Sequence, residues 1–353
     1  MKTSVVAFLT LLLAGFLIAA TQPELKFDPM PAALTNNAVA SFKGRDVFLL
    51  FSFMGIGPKK TWDSVSKETY VLDAYTGKWG KARPVPGTVG RLGAAAASAR
   101  GHVFLFGGYV MDSKGGESTL PDVNAYDPDS QVWFRAADIP VPVSASVVGV
   151  YRDRYVYLIG GWSKDGPVQN VQLYDAEKNE WRQATGTPGT AVFGHAGGVV
   201  DDNLIYVDGA YKNPGGEGPA FISSDECWTG KIDRKDPAKI QWSKLPAHPG
   251  AARFRIAAGG SDKDDIMYFS EGSANPYTTN GIGFDGQPAT PSAMTFAYNF
   301  RAARWEVISE NLPNPTMDQR ALLVTSGGLV LLGGMDKNGA VTPVVSVLPK
   351  QAR

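Results

Sequence analysis

Apolar residues along this chain come in short runs, each stopped by turn residues, and the runs recur. The stretch RDRYVYLIGGW, residues 152 to 162, shows the form. β-Favouring residues run from Tyr155 to Ile159, Gly160 and Gly161 end the run, and Trp162 follows. GHVFLFGGY (101–109), NLIYVDGAY (203–211), DIMYFSEGS (265–273) and GLVLLGGMD (328–336) repeat it, and RDVFLLFSFMG (45–55) is a degenerate first copy. The turns that end the later copies begin at Gly107, Gly160, Asp208, Glu271 and Gly333, about fifty to sixty residues apart, a spacing typical of repeat folds.

A second marker keeps step with the first. YVLDAYTGKW ends at Trp79, VNAYDPDSQVW at Trp133, VQLYDAEKNEW at Trp181, GKIDRKDPAKIQW at Trp242 and MTFAYNFRAARW at Trp305. Each reads as a strand, a polar turn and a second strand that opens with Trp. Pro-rich exits follow, such as ARPVPG, ADIPVP, KLPAHPG and NLPNPT, where proline ends the ladder. With the Ala/Val-rich segment that precedes each glycine run, every unit holds four strands. Such a unit is one blade of an all-β propeller, because a lone four-stranded sheet must bury both faces against neighbours.

Length and charge narrow the function classes. The 353-residue chain carries 34 basic and 34 acidic side chains and no long basic run, which argues against a nucleic-acid partner. Residues 1–20, MKTSVVAFLTLLLAGFLIAA, read as a secretory signal peptide with a small-residue end at Ala19 and Ala20. Residues 21–353 are expected to form a single propeller domain, periplasmic or secreted, with no stable membrane insertion once the leader is cleaved. The lone Cys227 permits no internal disulfide and reads as a small buried hydrophobe. His102, His195 and His248 are scattered, so no metal-ligand spacing is present and neither a metal nor another cofactor is expected.

The GG…YD…W combination at 160, 174–175 and 181 resembles the kelch family of β-propellers over nearly the whole mature chain. Blade count and leader more narrowly resemble the bacterial N-acetylneuraminate epimerases, periplasmic six-bladed kelch propellers that interconvert sialic acid anomers. The resemblance implies a six-bladed kelch-type propeller whose last blade is completed by the N-terminal strand. The chain stops one strand short after its sixth glycine run, and PELKFDPMPAA (23–33), with Leu25 and Phe27, is expected to supply the missing one. One departure bears on activity. The family's fourth-blade turn reads Gly-Glu, followed by a loop with an Arg, both implicated in catalysis. Here the turn is Gly209-Ala210, and YKNPGGEGPAF has no Arg.

Propeller ligands usually sit in the central funnel, reached from the approach to each first strand and from the residues after each glycine turn. On that reasoning Arg91, Arg255 and Arg320 are candidates for an anion-binding pole, since guanidinium forks match carboxylates. Trp162, Tyr211 and Lys212 are further ligand-binding candidates. Glu271, standing where most copies have Gly, and His195 are the candidate acid/base pair. Their alternatives are structural: an ion pair for Glu271, an inter-blade bond for His195. The expected ligand is a small, anionic carbohydrate or another small polar molecule. A non-catalytic module that binds protein or glycan through its loop face is the competing reading.

Overall fold

The computed structural model describes residues 26–351; the leader expected over residues 1–20, and Leu25, lie outside the described residues. Five four-stranded antiparallel sheets and one three-stranded sheet follow one another along the chain. Blade one comprises Ala38–Lys43, Phe48–Phe53, Thr69–Asp73 and Trp79–Ala82. Blade two comprises Ala95–Ala99, His102–Phe106, Val123–Asp127 and Val132–Arg135. Blade three comprises Val147–Tyr151, Tyr155–Ile159, Val171–Asp175 and Glu180–Ala184. Blade four comprises Ala196–Val200, Asn203–Val207, Cys227–Ile232 and Ile240–Leu245. Blade five comprises Ala257–Ser261, Ile266–Ser270, Thr295–Asn299 and Arg304–Ser309. Blade six comprises Leu323–Val324, Leu329–Leu332 and Val345–Leu348.

The first strand of each blade touches the first strands of both neighbours, and the sequence of contacts closes from blade six to blade one. These six strands crowd the axis, which explains their Ala and Gly content. A Cβ on Gly259 would stand 2.0 Å from the Leu322 carbonyl oxygen of the next blade. The second strands are almost wholly buried, as in Tyr155–Ile159. The apolar core is therefore a series of inter-blade layers, not one central cluster.

The Trp marker has a specific task. Each indole Nε1 donates to a carbonyl in the exit segment of the preceding blade: Trp133 to Arg83 (3.0 Å), Trp181 to Ala137 (2.9 Å), Trp242 to Thr185 (3.4 Å) and Trp305 to Pro246 (2.9 Å). Two residues beyond the acceptor, the exit segment's N–H returns to the approach to its own blade's third strand, as in Val85 to Lys67 (2.8 Å), Ile139 to Pro121 (2.9 Å) and Thr187 to Gln169 (3.0 Å).

The N-terminal segment reproduces this pattern for blade six. Trp79 Nε1 donates to Asp28 O at 2.8 Å, and Met30 N–H donates to Pro343 O at 2.8 Å. Phe27 and Met30 pack with Leu332 and Val345 of blade six and with Leu50 and Leu72 of blade one. Residues 26–30 thus hold the place of blade six's outer exit and not of the fourth strand expected there, so blade six has three strands among the described residues while chain from both termini closes the ring.

Candidate functional site

The approach to each first strand contains one residue in the left-handed region: Asn36 (φ 57°), Gly93 (62°), Ala145 (50°), Gly194 (62°), Arg255 (55°) and Asp318 (70°). These six encircle the axis. Main-chain bonds run from Ala145 N to Gly93 O (2.8 Å), Gly194 N to Ala145 O (2.9 Å), Arg255 N to Gly194 O (2.7 Å) and Asn36 N to Asp318 O (3.2 Å). Side chains make the other two links: Gly93 N–H donates to Asn36 Oδ1 (2.6 Å) and Arg255 Nη1 to Asp318 Oδ1 (2.6 Å). One half of this ring, Gly93–Ala145–Gly194, has almost no side chain. The other half carries Asn36, Arg255 and Asp318. A lopsided floor results, open on the side of blades two to four.

A cavity of about 690 Å³ stands over that open half. Arg255 is at its base, and Tyr109, Trp162, Phe193, Phe221, Tyr277 and Phe284 supply aromatic walls. Trp162, Phe193 and Phe221 meet edge to face with centroids 5.1–5.5 Å apart, and Phe221 reaches Phe284 at 4.7 Å. Ser118, Thr119, Ser144, Thr278 and Thr279 contribute polar groups. The long insert of blade five roofs the funnel: Thr279 Oγ1 shares a hydrogen bond with Tyr109 OH of blade two (3.2 Å), and Lys60 of blade one donates to Asn280 O (2.9 Å).

Charge concentrates at the base. Asp318, fully buried, accepts from Thr35 Oγ1 (3.0 Å), Asn36 Nδ2 (2.9 Å) and Arg255 Nη1 (2.6 Å), and Arg320 Nη2 lies 3.9 Å away. Two guanidinium groups therefore face one carboxylate. Burial works hardest against the Arg255 charge, but Asp318, Tyr277 and Tyr109 together outweigh it and hold that guanidinium above its ordinary value. Arg320 is lowered, first by burial and then by repulsion from Arg255. Arg255 Nε, Arg320 Nε and Arg320 Nη2 are buried without a hydrogen-bond partner. Glu117 stands at the mouth, its carboxyl raised by desolvation while Arg255 pulls it the other way.

Not all the residues expected from the sequence converge. Arg255 and Trp162 line the cavity, and Arg320 joins Arg255 at Asp318 without lining it. Arg91 instead holds its own blade, donating to Asp122 O (3.0 Å) and Asn124 Oδ1 (2.9 Å), with its pKa lowered by burial to about 10. Tyr211 and Lys212 line a shallow neighbouring dent, where Lys212 Nζ donates to Asp165 O (2.8 Å) behind the Trp162 ring.

The candidate acid/base pair also stands apart from the cavity. His195 lies between blades three and four, edge-on to Tyr206 at 5.6 Å, with burial lowering its pKa to about 4. Glu271 lies between blades five and six, 1% exposed, accepting from Thr316 Oγ1 (2.7 Å), and burial raises its pKa to about 8. The reason is positional. The first residue of each glycine turn faces the next blade, so a charge there is buried between sheets and not presented to the funnel. Tyr277 and Glu117, which line the cavity, and Asp318, which holds Arg255, are residues that the sequence reading did not single out. Aligning the strand approaches on Asn36, Gly93 and Arg255 puts Asp318 in the same register.

The blade-four turn is apolar here. Ala210 is fully buried and pairs across a bridge with Phe193. Among the described residues, no helix is long and apolar enough to cross a membrane.

Comparison with known proteins follows the same lines. The profile of the KLHDC2/KLHL20/DRC7 Kelch-repeats domain matches residues 48–269. N-acetylneuraminate epimerase 1 of Escherichia coli O6:H1 is 24% identical over 339 residues, covering 84% of this chain and 86% of that one. Kelch-like protein 36 of Bos taurus is 26% identical over 147 residues, 42% of this chain, and Kelch-like protein 15 of Gallus gallus 35% over 107 residues, 30% of this chain. The matched segments span less than a quarter of the length of these two kelch-like relatives, 23% and 21%. The solved structure of YjhT superposes with a TM-score of 0.72 at 17% identity, covering 92% of this chain and 97% of that one.

Proposed function

Because this chain belongs to the kelch-repeat family of β-propellers, we propose that its aromatic-walled funnel binds a small anionic carbohydrate, with the acid group on Arg255 and Arg320. One observation carries the reading: Arg255 lines the cavity base, and the single Asp318 carboxylate is the counter-charge of both Arg255 and Arg320, whose remaining buried N–H groups have no partner. Buried donors left unpaired cost free energy that an arriving carboxylate returns. Aromatic faces suit the apolar faces of a sugar ring, and about 690 Å³ accommodates a monosaccharide. The full-length similarity to N-acetylneuraminate epimerase 1 supports the same ligand class.

Anomer exchange asks for a proton carrier beside the ring oxygen. The blade-four turn offers none here, and the carboxyl at the cavity is Glu117. Binding is therefore the primary activity, and any turnover is assigned to Glu117. In this reading the apolar leader over residues 1–20 exports the propeller to the periplasm or cell exterior, which a reporter fusion with cleavage mapping near Ala20 checks. A thermal-shift screen tests the ligand class. N-acetylneuraminate or glucuronate should raise the melting temperature where glucose and N-acetylglucosamine do not. Equal shifts for acidic and neutral sugars would overturn the anionic reading.

A further inference from the structure

Asp208, Cys227 and His248 lie about twenty residues apart in sequence, yet their ligand atoms all come within 4.8 Å of one another. Asp208 opens the glycine turn of blade four, Cys227 begins that blade's third strand, and His248 sits in its Pro-rich exit. All three are buried, at 1%, 1% and 7% exposure. In blade two this contact joins the exit residue to the turn through apolar atoms, Ile139 Cδ1 coming within 3.1 Å of the position a Cβ on Gly107 would take. Blade four alone among the described blades has a thiol, an imidazole and a carboxyl there.

The hydrogen bonding leaves ligand atoms free. His248 Nδ1 lies 2.8 Å from Pro249 O, and a carbonyl only accepts, so Nδ1 carries the proton. A neutral ring then turns the Nε2 lone pair toward Asp208 Oδ2, 2.8 Å away, and two acceptors meet unless a proton sits between them. Asp208 Oδ2 also accepts from Arg253 N–H (2.8 Å), while Asp208 Oδ1 is buried with no partner at all. The Arg253 guanidinium points elsewhere, to Glu271 O and Ser292 Oγ at 3.0 Å each. A carbonyl on the far ring nitrogen is the usual outer support of a metal-bound histidine, fixing the tautomer and the ring plane.

We propose that Asp208, Cys227 and His248 form a binding site for one divalent d-block cation of the zinc class, held by the Asp208 carboxylate, Cys227 Sγ and His248 Nε2. The set is mixed N, O and S, as zinc sites use. Thiolate and carboxylate cancel the charge of a divalent ion, so the loaded site is neutral and suited to burial. Loading displaces two protons, one from the thiol and one from between Asp208 and His248, so apparent affinity rises with pH. The ion would tie blade four's turn to its own exit segment, on which Trp305 of blade five rests.

The test uses the mature protein produced in cobalt-supplemented medium, and the same protein dialysed against Co²⁺ and then Zn²⁺. One equivalent of Co²⁺ with a near-ultraviolet thiolate-to-metal band is expected, bleached by excess Zn²⁺. Cys227 is the only cysteine of the chain, so the band alone identifies the site. Cys227→Ala should abolish it, and Asp208→Asn should weaken Co²⁺ affinity at least tenfold. A variant that fails to fold leaves the wild-type band decisive. Absence of bound metal in both preparations, bound metal without a thiolate band, or a band that survives Cys227→Ala would overturn the proposal.

Discussion

Arg255 Nη1 donates to Asp318 Oδ1 across 2.6 Å, and this contact links blades five and six at the propeller axis. Both groups are buried, and the same carboxylate is the nearest counter-charge of Arg320 at 3.9 Å. One acid cannot satisfy two guanidinium groups, and Arg255 Nε, Arg320 Nε and Arg320 Nη2 are left without partners.

Asp318→Asn should be strongly destabilising. It leaves two buried cations without their counter-charge, a change that costs about 3–5 kcal/mol when one partner of a buried pair is lost. Urea denaturation reads the effect. A small bound anion should recover part of it, so the loss should shrink in the presence of an anionic sugar. A midpoint within experimental error of wild type would contradict the arrangement.

Glu271 gives a pH signature. Its pKa in the fold is raised to about 8 by burial, against an ordinary 4.5. Below pH 4.5 the carboxyl is protonated in both states and imposes no penalty. As pH rises from 4.5 toward 8 the unfolded chain ionises first, and the fold loses stability, on the order of 3 kcal/mol by pH 7. Glu271→Gln mimics the protonated acid, so the variant should melt higher than wild type at neutral pH and equal it near pH 4. Parallel stability curves across that range would show that Glu271 is ionised in the fold.

Ring closure predicts a global response to a terminal change. Removing residues 21–31 takes away the Trp79 acceptor, the Met30 bond and the Phe27 packing together. The truncated protein should still melt in one transition, several degrees or more lower. Trp79→Phe alone should cost about 1 kcal/mol for the indole bond. A truncated form that melts like the mature protein would refute closure through this segment.

The roles of the buried acid and histidine separate from those at the mouth. If anomer exchange is detected by NMR, Glu117→Gln should abolish it while changing affinity little. Glu271→Gln and His195→Asn should leave exchange intact and alter only stability, because both side chains lie between blades. Loss of exchange in the His195 variant with normal melting would reverse this assignment.

The fold was legible because its markers report on geometry repeated in every blade. Trp133, Trp181, Trp242 and Trp305 stay in phase since each must reach the same carbonyl of the blade before it. The missing outer strand pointed to the N-terminal segment as the closure, but its described residues supply the exit contacts of Asp28 and Met30 and no fourth strand. The site was only partly legible. Arg255 and Arg320 could be singled out as charges near strand approaches, but Arg91 has the same appearance and turns into its own blade toward Asn124. Two residues of offset decide it: Arg91 lies two before Gly93, the left-handed position that in blade five is Arg255 itself. Glu271 drew notice as a charge in a glycine turn, where its side chain meets blade six and not the funnel. Asp208, Cys227 and His248 looked scattered because turn, strand and exit of one blade converge in space at spacings that resemble no local motif.

The most direct test of the central claim is a calorimetric comparison of N-acetylneuraminate with its methyl ester, which keeps the shape and removes the charge. If Arg255 and Arg320 hold the acid group, the free acid should bind about ten- to a hundredfold more tightly, the worth of one charge-assisted contact. That difference should collapse in Arg320→Gln and narrow in Tyr277→Phe, which removes a buried hydroxyl without disturbing charge. Equal affinity of acid and ester in the wild-type protein, or a difference that survives Arg320→Gln unchanged, would contradict the claim.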